Sequence, residues 1–367
     1  MANPSEDSFK AAILSLSEST WKDGSLDRPC AENSSVVRVG RAQQPRRRLA
    51  RIRRLARRNR AINGGRGARR EHEKQFHCGA LVSTTITTAA LAVARRLREL
   101  RDRLAATDLR PSSHVNATFS ELVDLCCRTP APVDHEVLRQ VVQHAPSLRA
   151  ICSAGECELE RHWATRIVAA RDPHAALQTF PYLSNYKDLV RLELGALAAV
   201  GEPMPLRVVI LGSGPLPLTG MVLAIEHGAH VVHIDRDAES LHLSSALMHT
   251  LGLDDQVDSV LADLEEPAGR EIAAAACQDA GVVVLAALVG ADASAKASIS
   301  RWLGSTLSPG TPVLVRSAIG LRTLLYPQVG GDDLPGLEVA LEVHPRTDVV
   351  NSVLVARAGA SVPELAG

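Results

Sequence analysis

Residues Arg207-Val-Val-Ile-Leu-Gly-Ser-Gly-Pro-Leu-Pro-Leu-Thr219 pass from an apolar run through two glycines into a helix-forming stretch. A turn such as Gly212-Ser213-Gly214-Pro215 lets a ligand approach the backbone, and the helix start behind it offers unpaired N–H groups. About 20 residues on, the next apolar run ends in Asp235, where a carboxylate can take the hydroxyls of a ribose. Asp263 follows the third run and is placed to meet an adenine. The turn lacks the third glycine of a dinucleotide fingerprint, and Pro215 and Pro217 each remove an N–H that a pyrophosphate would use. A nucleoside without phosphates suits it better, so S-adenosylmethionine, as substrate, is the expected ligand. A second reading of Asp235 is a helix cap, with Asp237 the other candidate for a helix beginning near Ala238.

Arg316 ends a later apolar run, where open α/β sheets place their ligand contacts. A guanidinium there pairs either with a substrate carboxylate or with an acid of the protein such as Glu342. His344 is open between a pocket role and a structural one. His227, His230, His233, His242 and His249 are close in sequence, but no cysteine or third-ligand pattern joins them, and no metal is expected.

The elements that must position these groups fall into two kinds. From Arg207 onward, apolar runs alternate with helical stretches: 208–211, 230–234, 259–261, 282–288, 312–316, 337–343 and 352–356. That alternation predicts a parallel sheet covered on both faces, with the last two runs forming an antiparallel edge hairpin. Before it, Leu91, Leu97, Leu100 and Leu104 recur near helical spacing until Pro111, and further helices are expected over 115–127, 133–143, 148–170 and 186–199. The expected fold class is α/β, a small α-helical domain (86–204) followed by a doubly wound, mostly parallel sheet (205–360).

Residues 1–85 read as a basic, disordered extension. Arg38 to Arg70 holds 14 arginines and neither lysine nor acid, and taking these 14 from the 41 basic residues leaves 27 against 41 acids. Such a run attracts phosphates, but no aromatic side chain interleaves with it to stack on bases, so nucleic acid is disfavoured as a partner. The uncharged stretch Gln75–Ala94 is rich in threonine and too polar for a membrane span. Seven cysteines without a C-x-x-C pair fit reduced thiols in a cytoplasm. The expected partners are small-molecule substrates, with a homodimer compatible with the sequence.

The chain resembles the nicotianamine synthase family at Leu211-Gly-Ser-Gly-Pro-Leu-Pro-Leu-Thr219, Leu285-Ala-Ala-Leu-Val-Gly290, Val315-Arg-Ser-Ala-Ile-Gly-Leu-Arg322, Leu325-Tyr-Pro327, Val343-His-Pro345 and Val350-Asn-Ser-Val353. Upstream the likeness includes Leu109-Arg-Pro111, Phe119-Ser-Glu-Leu-Val123 and the segment from Pro181 to Glu193, so it covers residues 89–358 in order. The resemblance implies a helical domain before a Rossmann-like one. It also implies transfer of the 3-amino-3-carboxypropyl group of S-adenosylmethionine to an amine, releasing methylthioadenosine and making nicotianamine or a related metallophore. Ile319 stands where the plant pattern has histidine, and Glu342 where it has an apolar or aromatic residue.

For that reaction a neutral amine must meet the carbon–sulfur bond in line, and a group must take its proton. Glu193 is the expected base. It follows Tyr186 by seven residues, two helical turns, so both share a helix face. Tyr186 would orient the amine, Tyr182 would line the pocket, and Arg316 and His344 would meet the substrate. Three alternatives remain open here: a single transfer to histidine or another amino acid, a methyltransferase that would release S-adenosylhomocysteine, and a binding protein that senses S-adenosylmethionine and docks nucleic acid through its arginine run.

Overall fold

The computed structural model describes residues 68–290 and 292–359, with side chains from Thr87 onward except that of Pro132. The chain divides into two units, residues 1–83 and 84–367. Of the extension expected to be disordered over 1–85, residues 1–67, with most of the arginine run and the nucleic-acid expectation attached to it, lie outside the described residues, whereas residues 68–85 are helical.

Helix α1 (Ala68–Ala105) begins well before the expected start near Ala89. Its first turns, Ala68-Arg-Arg-Glu-His-Glu-Lys74, are strong helix formers without apolar spacing, so periodicity misses them. Further along, Ala90, Ala94, Leu97, Leu100 and Leu104 are buried, whereas Leu91, expected on this stripe, is 53% exposed. Helices α2 (Ser113–Arg128), α3 (Ala131–Val141) and α4 (Ala145–Val168) follow. The stripe of α1 packs with Leu122, Val137 and Leu148 of these helices and with Leu321, Leu324 and Leu325 beyond the sheet. A short α5 (Pro173–Gln178), capped by Asp172, precedes α6 (Leu183–Ala199). Among the described residues, no helix is long and apolar enough to cross a membrane.

Seven strands follow: β1 (Arg207–Leu211), β2 (His230–Asp235), β3 (Val257–Leu261), β4 (Val282–Leu285), β5 (Pro312–Ser317), β6 (Leu337–Val343) and β7 (Ser352–Ala358). They form one sheet in the order β3-β2-β1-β4-β5-β7-β6. The first five are parallel; β7 runs antiparallel between β5 and β6. The expected hairpin is present, but its second strand is inserted next to β5 and β6 becomes the edge. Helices α7 (Leu218–His227), α8 (Ala238–Thr250), α9 (Pro267–Cys277) and α10 (Ala293–Thr306) connect the parallel strands.

Side chains alternate between faces, as strand geometry requires. Val208, Ile210, Val282 and Val284 join one core with α4, α6 and α7, while Val209, Leu211, Val283 and Leu285 join the other with α9 and α10. The first core holds Ala164, Ile167, Leu189, Val190 and Leu197, so it runs across residue 204 and clamps the preceding helices onto the sheet. The direction of connection reverses between β1 and β4, which opens a crevice at their C-terminal ends.

Candidate active site

The turn after β1 lies in that crevice. Gly212 (φ 84°) and Gly214 (φ 71°) adopt left-handed conformations that a side chain would disfavour. A Cβ on Gly212 would lie 2.3 Å from Val289 Cγ2, and one on Gly214 would lie 2.7 Å from Glu160 Oε2. Ser213 Oγ is buried without a hydrogen-bond partner, an uncommon arrangement that a ligand's polar atom would relieve. Gly214 N–H donates to Asp235 Oδ2 (2.9 Å), and Asp237 N–H donates to Asp235 Oδ1 (3.0 Å). Asp235 thus fastens the turn to the end of β2, with lone pairs left over for hydroxyl donors. The capping role belongs to Asp237, which precedes α8 and accepts from Glu239 N–H. Asp263 accepts from Glu265 N–H (2.9 Å) just beyond β3 and stays half-buried.

The helical side of the crevice differs from expectation. Glu193 is not a free base beside Tyr186. Arg316 Nε donates to its Oε1 (2.7 Å) and Nη2 to its Oε2 (3.3 Å), and Nη2 also reaches Thr219 Oγ1 (2.7 Å). Both partners are buried, Glu193 to 2% exposure. Both carboxylate oxygens are thus taken up by one guanidinium, which holds Glu193 as its partner and not as a group facing Tyr186. The pairing of Arg316 with an acid of the protein is therefore observed, with Glu193 in the place of Glu342, and the bidentate edge expected to meet a substrate is occupied.

The carboxylate that does meet Tyr186 is Glu156, on α4. It accepts from Tyr326 Oη (2.9 and 3.1 Å) and from Tyr186 Oη (3.4 Å). One turn later, Glu160 lies over Gly214 and accepts from Leu216 N–H of the glycine turn. Both glutamates are half-buried, keeping part of their surface open to solvent. Burial raises Glu156 above the usual carboxylate range, opposed by the tyrosine hydrogen bonds and the nearby Arg316 charge. Burial raises Glu160 further, and the charges of Glu156 and Asp235 add to it. Tyr186 and Tyr326 are likewise pushed well up by burial and by Glu156, so both remain hydroxyl donors at neutral pH.

Tyr182 stands at the N-terminal cap position of α6 and packs edge-to-face on Phe180 (5.9 Å), which meets Trp163 (5.4 Å). His344 bonds Ser352 Oγ (3.0 Å) and lies 3.6 Å from Glu342, all on the β6–β7 hairpin. Neither residue shares a hydrogen bond with the glutamate–tyrosine group. Ile319, 43% exposed, precedes the 3-10 turn Gly320–Leu324. Sequence reasoning missed Glu156, Glu160 and the role of Tyr326. The four-residue spacing of the two acids puts both on one helix face, but spacing alone does not distinguish that face from a solvated one.

A sequence model of the family described as nicotianamine synthase protein matches residues 86–362. The chain belongs to the nicotianamine synthase family. Nicotianamine synthase of Solanum lycopersicum is 35% identical over 273 residues, covering 72% of this chain and 83% of that protein. Nicotianamine synthase 9 of Hordeum vulgare is 38% identical over 262 residues, with 68% and 73% covered. Among solved structures, a glutamate-to-glutamine variant of MtNAS in complex with S-adenosylmethionine superposes with a TM-score of 0.62 at 21% identity, covering 73% of this chain and 98% of that one. MtNAS in complex with MTA and tNA gives a TM-score of 0.62 at 22% identity, with 73% and 97% covered. At those identities the likeness concerns the fold, and the nicotianamine synthase fold is the one described above.

Proposed function

We propose that this member of the nicotianamine synthase family moves 3-amino-3-carboxypropyl groups from S-adenosylmethionine to an amine, releases methylthioadenosine and builds nicotianamine. The observation that carries the reading is a half-buried carboxylate, Glu156, held by two tyrosine hydroxyls one helical turn from Glu160, which lies over a glycine turn suited to a nucleoside. The turn Gly212–Pro215 takes the nucleoside, Asp235 the ribose hydroxyls, and Asp263 the adenine side. Transfer needs an in-line amine and a group to receive its proton. Glu156 is that acceptor: its raised affinity for protons makes it a stronger base than an ordinary carboxylate once ionised. Tyr186 and Tyr326 orient it. Arg316 Nη1 makes no hydrogen bond among the described residues, so this edge can meet an amino-acid carboxylate while Glu193 holds the other.

Incubating the protein with S-adenosylmethionine alone, followed by mass spectrometry, tests the reading. Nicotianamine and methylthioadenosine are the expected products. S-adenosylhomocysteine, or products that appear only when another amino acid is added, would refute it.

A further inference from the structure

Lys296, in the first turn of α10, is buried to 3% exposure, and its ammonium faces no carboxylate within ion-pairing distance among the described residues. Nζ donates instead to two backbone carbonyls, Ala286 O (3.3 Å) and Ala287 O (3.0 Å). An ionised amine is costly to bury, so two carbonyl acceptors in the loop after β4 call for an explanation. That loop folds back sharply. Ala286 N–H closes the last rung of the β1–β4 ladder on Leu211 O, Val289 N–H then turns back to Ala286 O (3.2 Å), and Gly290 (φ 79°) sits so close that a Cβ there would lie 2.8 Å from Lys296 N. On its other side, Ala286 and Val289 are the neighbours that a Cβ on Gly212 would meet, at 3.4 and 2.3 Å. The loop is thus the wall behind the glycine turn, at the switch point between β1 and β4, and Lys296 is the tie that holds it from beneath.

We propose that Lys296 is a positioning residue for the donor site: its ammonium gathers the Ala286 and Ala287 carbonyls and fixes the 285–290 loop against the Gly212 turn, keeping that turn in its ligand-binding shape. The inference rests on the reading of the turn as the S-adenosylmethionine site. Burial lowers Lys296 to about 8, so the charge that strengthens these bonds is lost in a mildly alkaline range. The charged groups around α10 are engaged elsewhere. Asp292 caps the helix through Ala295 N–H, Arg270 reaches Ser298 Oγ and Leu264 O, and Asp333 bonds Gly330 N–H. Arg301 lies on the helix itself, and Glu338 and Glu342 lie at exposed positions of β6.

The test compares wild type, Lys296→Arg and Lys296→Met by calorimetric titration with S-adenosylmethionine between pH 7 and 9.5, by hydrogen exchange of the unliganded proteins, and by thermal melting. The expected result at pH 7 is about a tenfold weaker dissociation constant for Lys296→Met and rescue to within about threefold by Lys296→Arg. The wild-type constant, divided by that of the arginine variant, rises severalfold from pH 7 to 9.5; the ratio removes titration of the ligand's own amino group. Exchange should speed up at residues 286–290 in Lys296→Met. Unchanged affinity together with a lowered melting temperature, a pH-independent ratio, or exchange that rises evenly along the chain would each overturn the proposal. If Lys296→Met does not fold, the wild-type and arginine pair still decides. If wild type does not bind S-adenosylmethionine, the proposed function fails, while the exchange data still report on the tether.

Discussion

Replacing Glu193 by glutamine separates the two candidate carboxylates. The substitution keeps the shape and removes the charge from a pair whose side chains are only 3% and 10% exposed. The amide oxygen can still accept from Arg316 Nε, but the amide nitrogen then faces Nη2 donor to donor, and the guanidinium keeps Thr219 Oγ1 as its other partner. Breaking a buried pair by removing one partner costs about 3–5 kcal/mol, and the retained hydrogen bond argues for the lower end, about 3 kcal/mol. That is a large share of the roughly 5–15 kcal/mol available to a folded domain. Urea unfolding followed by circular dichroism should show the midpoint falling, and a Glu193→Leu, Arg316→Met double variant should recover most of the loss, since apolar replacement of a buried pair is often neutral. Methylthioadenosine release by the folded glutamine variant should fall less than about tenfold, because no proton passes through Glu193; removal of a general base costs about a hundredfold or more. Its acid limb should also move to lower pH, because an uncompensated Arg316 favours ionised Glu156. A drop of a hundredfold or more with an unchanged urea midpoint would refute the reasoning and return Glu193 to the role of base.

Other outcomes follow from the same contacts. Gly212→Ala must place a side chain at φ 84° and 2.3 Å from Val289, so calorimetry should show S-adenosylmethionine binding at least tenfold weaker. His233 is fully buried with neither ring nitrogen bonded, and burial lowers it to about 4. The unfolded chain, titrating near the ordinary 6.5, then binds more protons between these values, so stability is full above about pH 6.5 and falls by about 3 kcal/mol as pH approaches 4. His233→Met should flatten that dependence in urea titrations at pH 7 and 5.

Much of the sheet is legible because buried parallel strands must be apolar: Arg207-Val-Val-Ile-Leu211 and Val282-Val-Val-Leu285 announce themselves between helical stretches. The insertion of β7 between β5 and β6 is not legible, since alternation along a strand says nothing about its neighbours. Residues 286–288 continue the apolar run of β4 but leave the sheet: Ala286 N–H makes the last rung of the ladder to Leu211 O, and Val289 N–H then closes a turn on Ala286 O. The position of the glycine turn after β1 and of Asp235 at the end of β2 was readable from spacing. Glu156 and Glu160 were not, because Glu-Cys-Glu-Leu-Glu-Arg looks like a solvated helix face until α4 is packed against the sheet. The same long-range packing assigned Glu193 to Arg316, a partner 123 residues away that no local pattern could name.

The measurement closest to the centre of the account is made on Glu156→Gln, with S-adenosylmethionine affinity and methylthioadenosine release determined on the same preparation. Wild-type release should rise with pH along an acid limb displaced above the ordinary glutamate range, because burial keeps Glu156 protonated longer. The variant should bind the donor within about threefold of wild type and release methylthioadenosine at least a hundredfold more slowly at every pH. Release at the wild-type rate, with the acid limb still in place, would contradict the assignment of Glu156 as the group that takes the proton.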